Sequence, residues 1–338
     1  MKPIEKMIAD NSILAEAWEG LDDAEDGASE PVIEIQLTQE DCGVRLDKVL
    51  SSRVPQYSRS RLQQWIEAGH VSVDGVIAKP KITLYGDETI KIHPQPAPEE
   101  QAFTPEPMEL EIVYEDDAIL VVNKPVGMVV HPAAGNWSGT LLNGLLHRLP
   151  ALAGVPRAGI VHRLDKDTSG LMVVAKNLVA QTDLVRQLQA RTVKREYLAL
   201  VWGTPSLSGT VDAAMGRHPR DRIKMAVMNN LSAKPAITHY ERLATGMLDG
   251  KPVSLVCCRL ETGRTHQIRV HMQSLGFALV GDALYGKQHL MAFFPRQALH
   301  ARRLGLIHPV TGEACEWSTG LPEDMTTLLE RAEIVLPA

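Results

Sequence analysis

The densest group of chemically capable residues in this chain lies within residues 162–170. Two carboxylates, Asp165 and Asp167, an arginine, Arg163, and a lysine, Lys166, fall within five consecutive positions. Apolar runs flank this segment, and the run that follows it is typical of a buried strand. Polar segments between buried strands often display functional side chains, but a charge cluster can equally be a solvated loop. Residue types alone leave both interpretations open.

The spacing of the two carboxylates does not separate their roles. Residues two apart in an extended segment lie on the same face, so Asp165 and Asp167 are equivalent by position. An ionised carboxylate beside a sugar can act as a nucleophile, as in glycosidases. It can also be a side-chain acceptor that stabilises a turn. Either aspartate could therefore be the reactive group.

The elements that must position this segment are mixed strands and helices. Period and composition predict strands near residues 112–114, 119–122, 195–202, 236–243 and 253–260. They predict helices over residues 141–149 and 178–190, and a change from loop to helix near residue 268. This alternation predicts a mixed α+β sheet domain, although strand order cannot be read from it.

A separate compact unit is predicted over residues 32–93. Apolar residues at helical spacing predict one helix over residues 46–54 and a second around residues 62–66. A turn at Asp74-Gly75 between short apolar runs predicts a β-hairpin.

Basic side chains form the polar side of this helix pair: Arg45, Lys48, Arg59 and Arg61. Such a stripe can neutralise RNA phosphates and release counterions, or it can simply be solvated.

Charge and composition shifts give the domain boundaries. Residues 1–31 form an acidic extension, which we expect to be mobile, and residues 94–107 form a proline-rich linker to a second domain, residues 108–338. The net charge is −6; residues 1–30 hold nine acidic and two basic residues, so residues 31–338 are near neutral. Net charge therefore neither requires nor excludes a nucleic-acid partner.

The remaining composition argues against several function classes. The four cysteines include no Cys-x-x-Cys spacing, and the histidines include no helical i, i+4 pair typical of zinc sites. We therefore expect reduced thiols, no metal and no cofactor. The apolar runs are too short to span a bilayer. Acidic residues interrupt the N-terminal segment, so we expect no secretory signal peptide there. We expect a cytoplasmic monomer without membrane attachment.

Six segments form an ordered set of motifs at residues 123–132, 162–170, 194–201, 260–271, 280–286 and 296–301. Together they resemble the RluA-type pseudouridine synthases, and the resemblance is strongest to the RluD branch, which modifies large-subunit ribosomal RNA. Residues 43–61 also resemble the S4 RNA-binding domain. The implied fold is an S4-like α/β domain followed by a mixed, mostly antiparallel-sheet synthase domain.

The resemblance also implies roles for individual residues. Asp165 matches the catalytic carboxylate, and Arg269 matches the arginine that pairs with it. Tyr197 matches a tyrosine that stacks near the uracil, and Arg163 matches an arginine that enters the RNA stack when a uridine flips out. The S4 likeness favours RNA binding by the basic stripe. The carboxylate could add to the sugar, add to the base or remove a ribose proton.

The sequence thus predicts an enzyme that isomerises specific uridines in 23S ribosomal RNA, or in a large-subunit precursor, to pseudouridine. A synthase of the same family acting on another rRNA site or on tRNA is the nearest alternative. A non-catalytic RNA-binding assembly factor is an alternative of a different class.

Overall fold

In a computed structural model of the chain, the residues described are 32–79, 81–95, 100–133, 135–221, 223–335. They fall into two compact units, with the boundary in the chain between Ala102 and Phe103. The acidic extension predicted for residues 1–31 and part of the predicted linker lie outside the described residues. No helix in the described part of the chain is long and apolar enough to cross a membrane.

The first unit packs two helices against a small antiparallel sheet. Its strands have the order β1-β4-β2-β3, and the apolar faces of both helices are buried. Ser58 begins the second helix, where its Oγ accepts a hydrogen bond from the backbone N of Arg61 at 3.3 Å. The elements are β1 (Ile33–Gln36), α1 (Leu46–Arg53), α2 (Arg59–Glu67), β2 (Val71–Val73), β3 (Val76–Ile77) and β4 (Thr89–Ile92).

The hairpin predicted at Asp74-Gly75 connects β2 to β3. Both residues have positive φ, 49° and 80°. Two successive positive φ values define the tight turn whose twist matches that of the flanking strands, which is why Asp-Gly favours it.

The second unit is built around a large mixed sheet. Its strands are β5 (Glu111–Glu115), β6 (Ile119–Lys124), β7 (Ser169–Ala175), β8 (Lys194–Trp202), β9 (Ser208–Asp212), β12 (Ile237–Leu248), β13 (Lys251–Leu260), β14 (Leu299–Ile307) and β15 (Ala314–Ser318). A two-stranded ribbon, β10 (Met215–Arg217) and β11 (Met225–Val227), stands apart from it. The helices are α3 (Leu141–Arg148), α4 (Leu178–Gln189), α5 (Gln267–Ser274) and α6 (Glu323–Arg331).

The order along this sheet is β5-β6-β7-β14-β8-β13-β12-β9, with β15 paired to β14. Among the described strands the pairings are antiparallel except for β7 with β14, which is parallel. The sheet buries both faces, and adjacent Cys257 and Cys258 point into different apolar clusters. The predicted α+β class, with a mostly antiparallel sheet, is therefore confirmed.

One strand is longer than its sequence pattern indicates. The prediction ended near residue 243, but β12 continues to Leu248 and turns through Asp249-Gly250 into β13. Both turn residues have positive φ, 45° and 75°. The Asp-Gly pair was the available signal for this second hairpin.

Candidate active site

The loop of residues 162–168 leads directly into β7 and is fixed from within. The backbone N of Thr168 donates to the carbonyl of Asp165 at 3.0 Å, which closes a turn. His162 is buried, and its Nε2 accepts from the backbone N of Val173 at 3.0 Å. Burial lowers the pKa of His162 to about 3, so this ring is a neutral structural acceptor.

Side chains in β14 and just before it, more than a hundred residues later, hold the same loop. Nη1 of Arg296 donates to the carbonyl of Asp167 at 3.1 Å, while its Nε and Nη2 bind both oxygens of Asp324. The Ser169 hydroxyl bonds Nδ1 of His300 at 2.9 Å. Because β7 pairs with β14, Arg296 and His300 can hold the loop of residues 162–168 and the start of β7 in place.

Backbone proximity at the start of β7 requires glycine. Gly170 has φ +115°, and a Cβ at this position would collide with the backbone carbonyl of Ala301 on β14. The glycine that ends the motif therefore permits the close parallel approach of the two strands.

A fully buried lysine lies beneath the loop. Nζ of Lys124, at the end of β6, donates to the carbonyls of Pro125, Met128 and Lys166 at 2.8, 2.9 and 3.0 Å. Three acceptors match the three N–H donors of an ammonium group. Burial lowers the pKa of Lys124 to about 7, and the carboxylates of Asp165 and Asp167 oppose that shift. Lys124 ties the strand end to the loop backbone.

Asp165 is bound through one of its two oxygens. Nη1 of Arg269, on α5, donates to Asp165 Oδ2 at 3.0 Å. The other side of that guanidinium forms a fork with buried Asp282, with Nε to Oδ2 at 2.7 Å and Nη2 to Oδ1 at 2.9 Å. The fork fixes the plane of the arginine, so the single donor that remains is aimed at Asp165.

The surroundings of Asp282 favour its ionised form. The backbone N–H groups of Leu284 and Tyr285 also donate to Asp282 Oδ1, both at 3.0 Å. Burial of Asp282 works against ionisation, but the hydrogen bonds and charge of Arg269, together with the two backbone donors, outweigh it, so the pKa of Asp282 is lowered. The pKa of Arg269 is raised because its two carboxylate partners outweigh its own burial.

Tyr197 lies on β8, buried within the apolar cluster that also contains Leu164 and Ile268. Each of these neighbours is adjacent in sequence to a residue predicted for the site. Burial raises the pKa of Tyr197, and Asp165 is near enough to raise it further. The structure therefore brings together Asp165, Tyr197 and Arg269 from three separate elements.

Arg163 is exposed, although its neighbours His162 and Leu164 are buried. Its side chain therefore emerges at the surface two residues before Asp165. That placement suits a group that could enter an RNA stack, and the role remains a prediction.

Two further residues border the carboxylate. His266 begins α5 in the left-handed region, φ +57°, and its Nε2 lies 3.9 Å from Asp165 Oδ1. Its Nδ1 is 2.8 Å from the hydroxyl of Tyr285, whose ring faces the guanidinium of Arg269. Lys124, Asp282 and Tyr285 had no predicted role, and their positions within the synthase motifs were the signal available for them.

The predicted RNA-binding residues of the first unit are partly engaged in internal contacts. Nε and Nη2 of Arg45 and Nη2 of Arg59 surround the buried carboxylate of Asp47 at 2.8–3.0 Å. Both arginine side chains nevertheless remain about half exposed, at 48% and 61%. Lys48 is exposed on α1.

Arg61 is the most enclosed of the four. Its guanidinium lies 5.3 Å from the Tyr57 ring centre and 5.1 Å from that of Trp65, and Nη2 donates to the carbonyl of Gln95 at 2.9 Å. These contacts give Arg61 a packing role in this unit, and RNA binding by it stays a prediction.

Within the described ranges, no group of three or more His, Cys, Asp or Glu side chains lies together as a metal site would require. Burial raises the pKa of Cys257 to about 12, which keeps this thiol protonated. The expectation that the protein uses neither metal nor cofactor remains a prediction.

Comparisons with known proteins agree with this geometry. The RNA pseudouridylate synthase family model matches residues 118–274, and the S4 domain model matches residues 44–90. A ribosomal large subunit pseudouridine synthase D from Nitrosomonas europaea is 50% identical over 309 residues, which are 89% of this chain and 88% of that protein. Its namesake from Pasteurella multocida is 51% identical over 310 residues, with 88% and 93% covered.

A solved structure shares the fold. Human RNA Pseudouridylate Synthase Domain Containing 1 superimposes with a TM-score of 0.53 at 33% identity, covering 64% of this chain and 86% of that one. Fold and sequence together define an RNA-modifying isomerase. The chain belongs to the RNA pseudouridylate synthase family, with an S4 domain preceding its synthase domain. The resemblance to RluA-type synthases is thereby confirmed.

Proposed function

We propose that this protein isomerises specific uridines of 23S ribosomal RNA to pseudouridine, with Asp165 as the catalytic carboxylate. The relatives that match nearly the whole chain are named as large-subunit ribosomal enzymes, which supports the choice of substrate. Asp165 is supported by its hydrogen bond from Arg269 and by its proximity to Tyr197. We further infer that the enzyme acts as a cytoplasmic monomer on free rRNA or on a large-subunit precursor.

The reaction breaks the N1–C1′ bond of uridine and forms a C1′–C5 bond, so no atom is gained or lost overall. The hydrogen at C5 leaves as the new bond forms, and N1 takes up a proton. Arg269 holds Asp165 Oδ2, which directs the other oxygen, Oδ1, toward the flipped-out nucleotide. Extrusion of the base costs a few kcal/mol, and Arg163 is placed to fill the vacated space in the RNA stack.

The observation that carries the proposal is the asymmetric binding of Asp165. A carboxylate with a purely structural role usually has hydrogen-bond partners on both oxygens. In Asp165, Arg269 binds Oδ2 alone, and the side chain is 16% exposed. Tyr197 beside it offers an aromatic surface on which a uracil can stack and turn.

The same site would serve a synthase acting on another rRNA position or on tRNA. The experiment is to map pseudouridines in total RNA from cells with and without the gene, and from cells in which the gene carries Asp165→Asn. We expect one or more 23S sites to disappear in both altered strains. Loss confined to tRNA would reject the rRNA substrate, and sites retained with Asp165→Asn would reject the assigned carboxylate.

A further inference from the structure

The hydrogen bonds behind Asp165 include a chain that begins on the small ribbon of β10 and β11. The backbone N of Met225 donates to the hydroxyl oxygen of Tyr285 at 2.8 Å. A backbone N–H can only donate, so this contact uses an acceptor position of the tyrosine oxygen and leaves its O–H available as a donor.

The next member of the chain is His266. Tyr285 Oη lies 2.8 Å from Nδ1 of His266. Burial lowers the pKa of His266, which makes the ring neutral near pH 7. An O–H of Tyr285 directed at Nδ1 would make that nitrogen the acceptor, and a neutral imidazole would then carry its hydrogen on the other nitrogen.

We propose that His266 is a positioning residue for the reaction: Tyr285 fixes its tautomer with the hydrogen on Nε2, and this N–H faces Asp165 Oδ1. The proposal rests on the proposed function of Asp165 and adds a second group that acts through that carboxylate. It also excludes a different role, because a nitrogen that already bears hydrogen cannot accept the proton released from C5.

The distance explains how the contact can help without blocking the reaction. Nε2 is 3.9 Å from Oδ1, which is beyond a direct hydrogen bond, while Arg269 bonds Oδ2 at 3.0 Å. The dipole of the N–H therefore stabilises the charge on Oδ1 and leaves its lone pairs open to the nucleotide. Two donors of different strength thus give the two oxygens different tasks.

The backbone at His266 provides a matched pair of variants. Asn is tolerated in the left-handed region better than Gln, so a merely structural role predicts that His266→Asn is the less damaging change. Gln reaches as far as Nε2 and can place an amide N–H there, whereas Asn cannot. A donor role therefore predicts the opposite order of activity.

Single-turnover rates on an rRNA stem-loop at saturating enzyme, with RNA affinity measured separately, give the first test. We expect His266→Gln to stay within about tenfold of wild type and His266→Asn to fall by roughly 100-fold, the scale for loss of one preorganised donor. RNA affinity should change little in either variant. Thermal unfolding of both variants shows whether any loss of rate reflects loss of fold. A rate for His266→Gln as low as that of His266→Asn, with both folded, would overturn the donor role.

The second test needs no substrate and no change at His266. Nitrogen-15 spectra of histidine-labelled wild-type enzyme identify the protonated ring nitrogen, with the His266 signal assigned by its loss in His266→Gln. We expect hydrogen on Nε2 in the wild type and a mixture of tautomers in Tyr285→Phe. Hydrogen on Nδ1 alone, or a cationic ring at pH 7, would refute the proposal. Because this result concerns the free enzyme, it stands apart from a failure of wild-type enzyme to modify rRNA.

Discussion

Asp47 in the S4 domain and Asp165 in the synthase domain are both carboxylates bound by arginine, yet they are bound differently. Asp47 is 1% exposed in its side chain and receives three hydrogen bonds at 3.0 Å or less, from Arg45 and Arg59. Asp165 is 16% exposed and receives one such bond, from Arg269. Saturated pairing makes a structural ion group, while one-sided pairing leaves an oxygen available for chemistry.

The synthase domain contains both arrangements on one arginine. Arg269 forms a complete fork with Asp282, which is fully buried, and a single bond with Asp165. Asp282 is therefore a fixed structural partner of Arg269, just as Arg45 is a fixed structural partner of Asp47. The orientation of Asp165, the carboxylate proposed to react, therefore depends on Asp282.

Among the changes that distinguish a fully paired carboxylate from a partly paired one, we expect the largest effect on activity from Asp165→Asn. The amide keeps the size but cannot act as an ionised group, so product formation should fall by at least about 10³-fold while RNA affinity stays within a few fold. Single-turnover tritium release from C5-labelled RNA measures the rate. Asp167→Asn is the control: Arg296 binds the carbonyl of Asp167, so substantial activity should remain. Near-normal turnover by Asp165→Asn would remove it from the mechanism.

A comparison of Asp282→Asn with Asp47→Asn tests whether a saturated carboxylate matters only for folding. Asp282→Asn removes one of the two carboxylate partners of buried Arg269, so it should lower the free energy of unfolding by about 3–5 kcal/mol and also slow the chemical step. Asp47→Asn should cost less, because its arginines are half exposed and can rehydrate. Its single-turnover rate at saturating enzyme should match wild type.

Urea unfolding and single-turnover kinetics on the same preparations decide between these outcomes. A normal rate for folded Asp282→Asn would show that Arg269 is oriented without its fork. A slowed chemical step in folded Asp47→Asn would contradict the division between the two domains.

Acid should destabilise the synthase domain before the S4 domain. Burial lowers the pKa of His131 and of His162 to about 3 and that of His300 to about 4, well below the usual histidine value. The unfolded chain binds more protons than the native one between those values and about 6.5, so stability falls as pH drops through this window. The described S4 histidines, His70 and His93, are half-buried and exposed.

In the S4 domain, the buried carboxylates Asp41, Asp47 and Glu88 have lowered pKa values, chiefly through hydrogen bonds and arginine partners. Their stabilisation is present above their unfolded values and is lost only below about pH 4.5. Hydrogen exchange of the full chain at pH 7 and pH 5, corrected for intrinsic rates, should show a loss of protection in the synthase domain. Equal loss in both domains would contradict this order.

The smallest effect is expected from Lys48→Gln on the exposed side of α1. Removal of one phosphate contact should weaken RNA binding a few fold and reduce the slope of log K against log salt by about 1. Lys91→Gln, on strand β4 of the same domain, is the matched control. Binding titrations across a salt series measure both. An unchanged slope for Lys48→Gln would place the RNA on another face.

Local sequence patterns predicted the elements that depend on neighbouring residues. The helix at residues 46–54 follows from the periodicity of its apolar residues, and the Asp74-Gly75 turn follows from the backbone preferences of the pair. Both signals depend on only a few neighbouring positions. The motif resemblance supplied Asp165, Tyr197 and Arg269, which the structure brings to one place. Whether each performs its expected role remains for the experiments above.

Long-range partners could not be predicted by the same means. The bond from Lys124 to the carbonyl of Lys166 and the fork between Arg269 and Asp282 arise from tertiary packing, which leaves no periodic trace in the sequence. The parallel pairing of β7 with β14 is a choice of topology, which local patterns do not encode. The tautomer of His266 depends on a hydroxyl 19 positions away and on a backbone donor from a third segment.

The parallel contact between β7 and β14 also sets when the protein can begin to work during its own synthesis. Ser169 bonds His300, 131 positions later, and the Gly170 backbone lies against Ala301. Chains emerge from the ribosome N-terminal end first, so the S4 domain can fold while β14 has yet to be translated. The loop bearing Asp165 then lacks its anchor. A nascent chain can therefore acquire its RNA-binding fold well before its active site, and activity begins only after β14 has emerged from the ribosome.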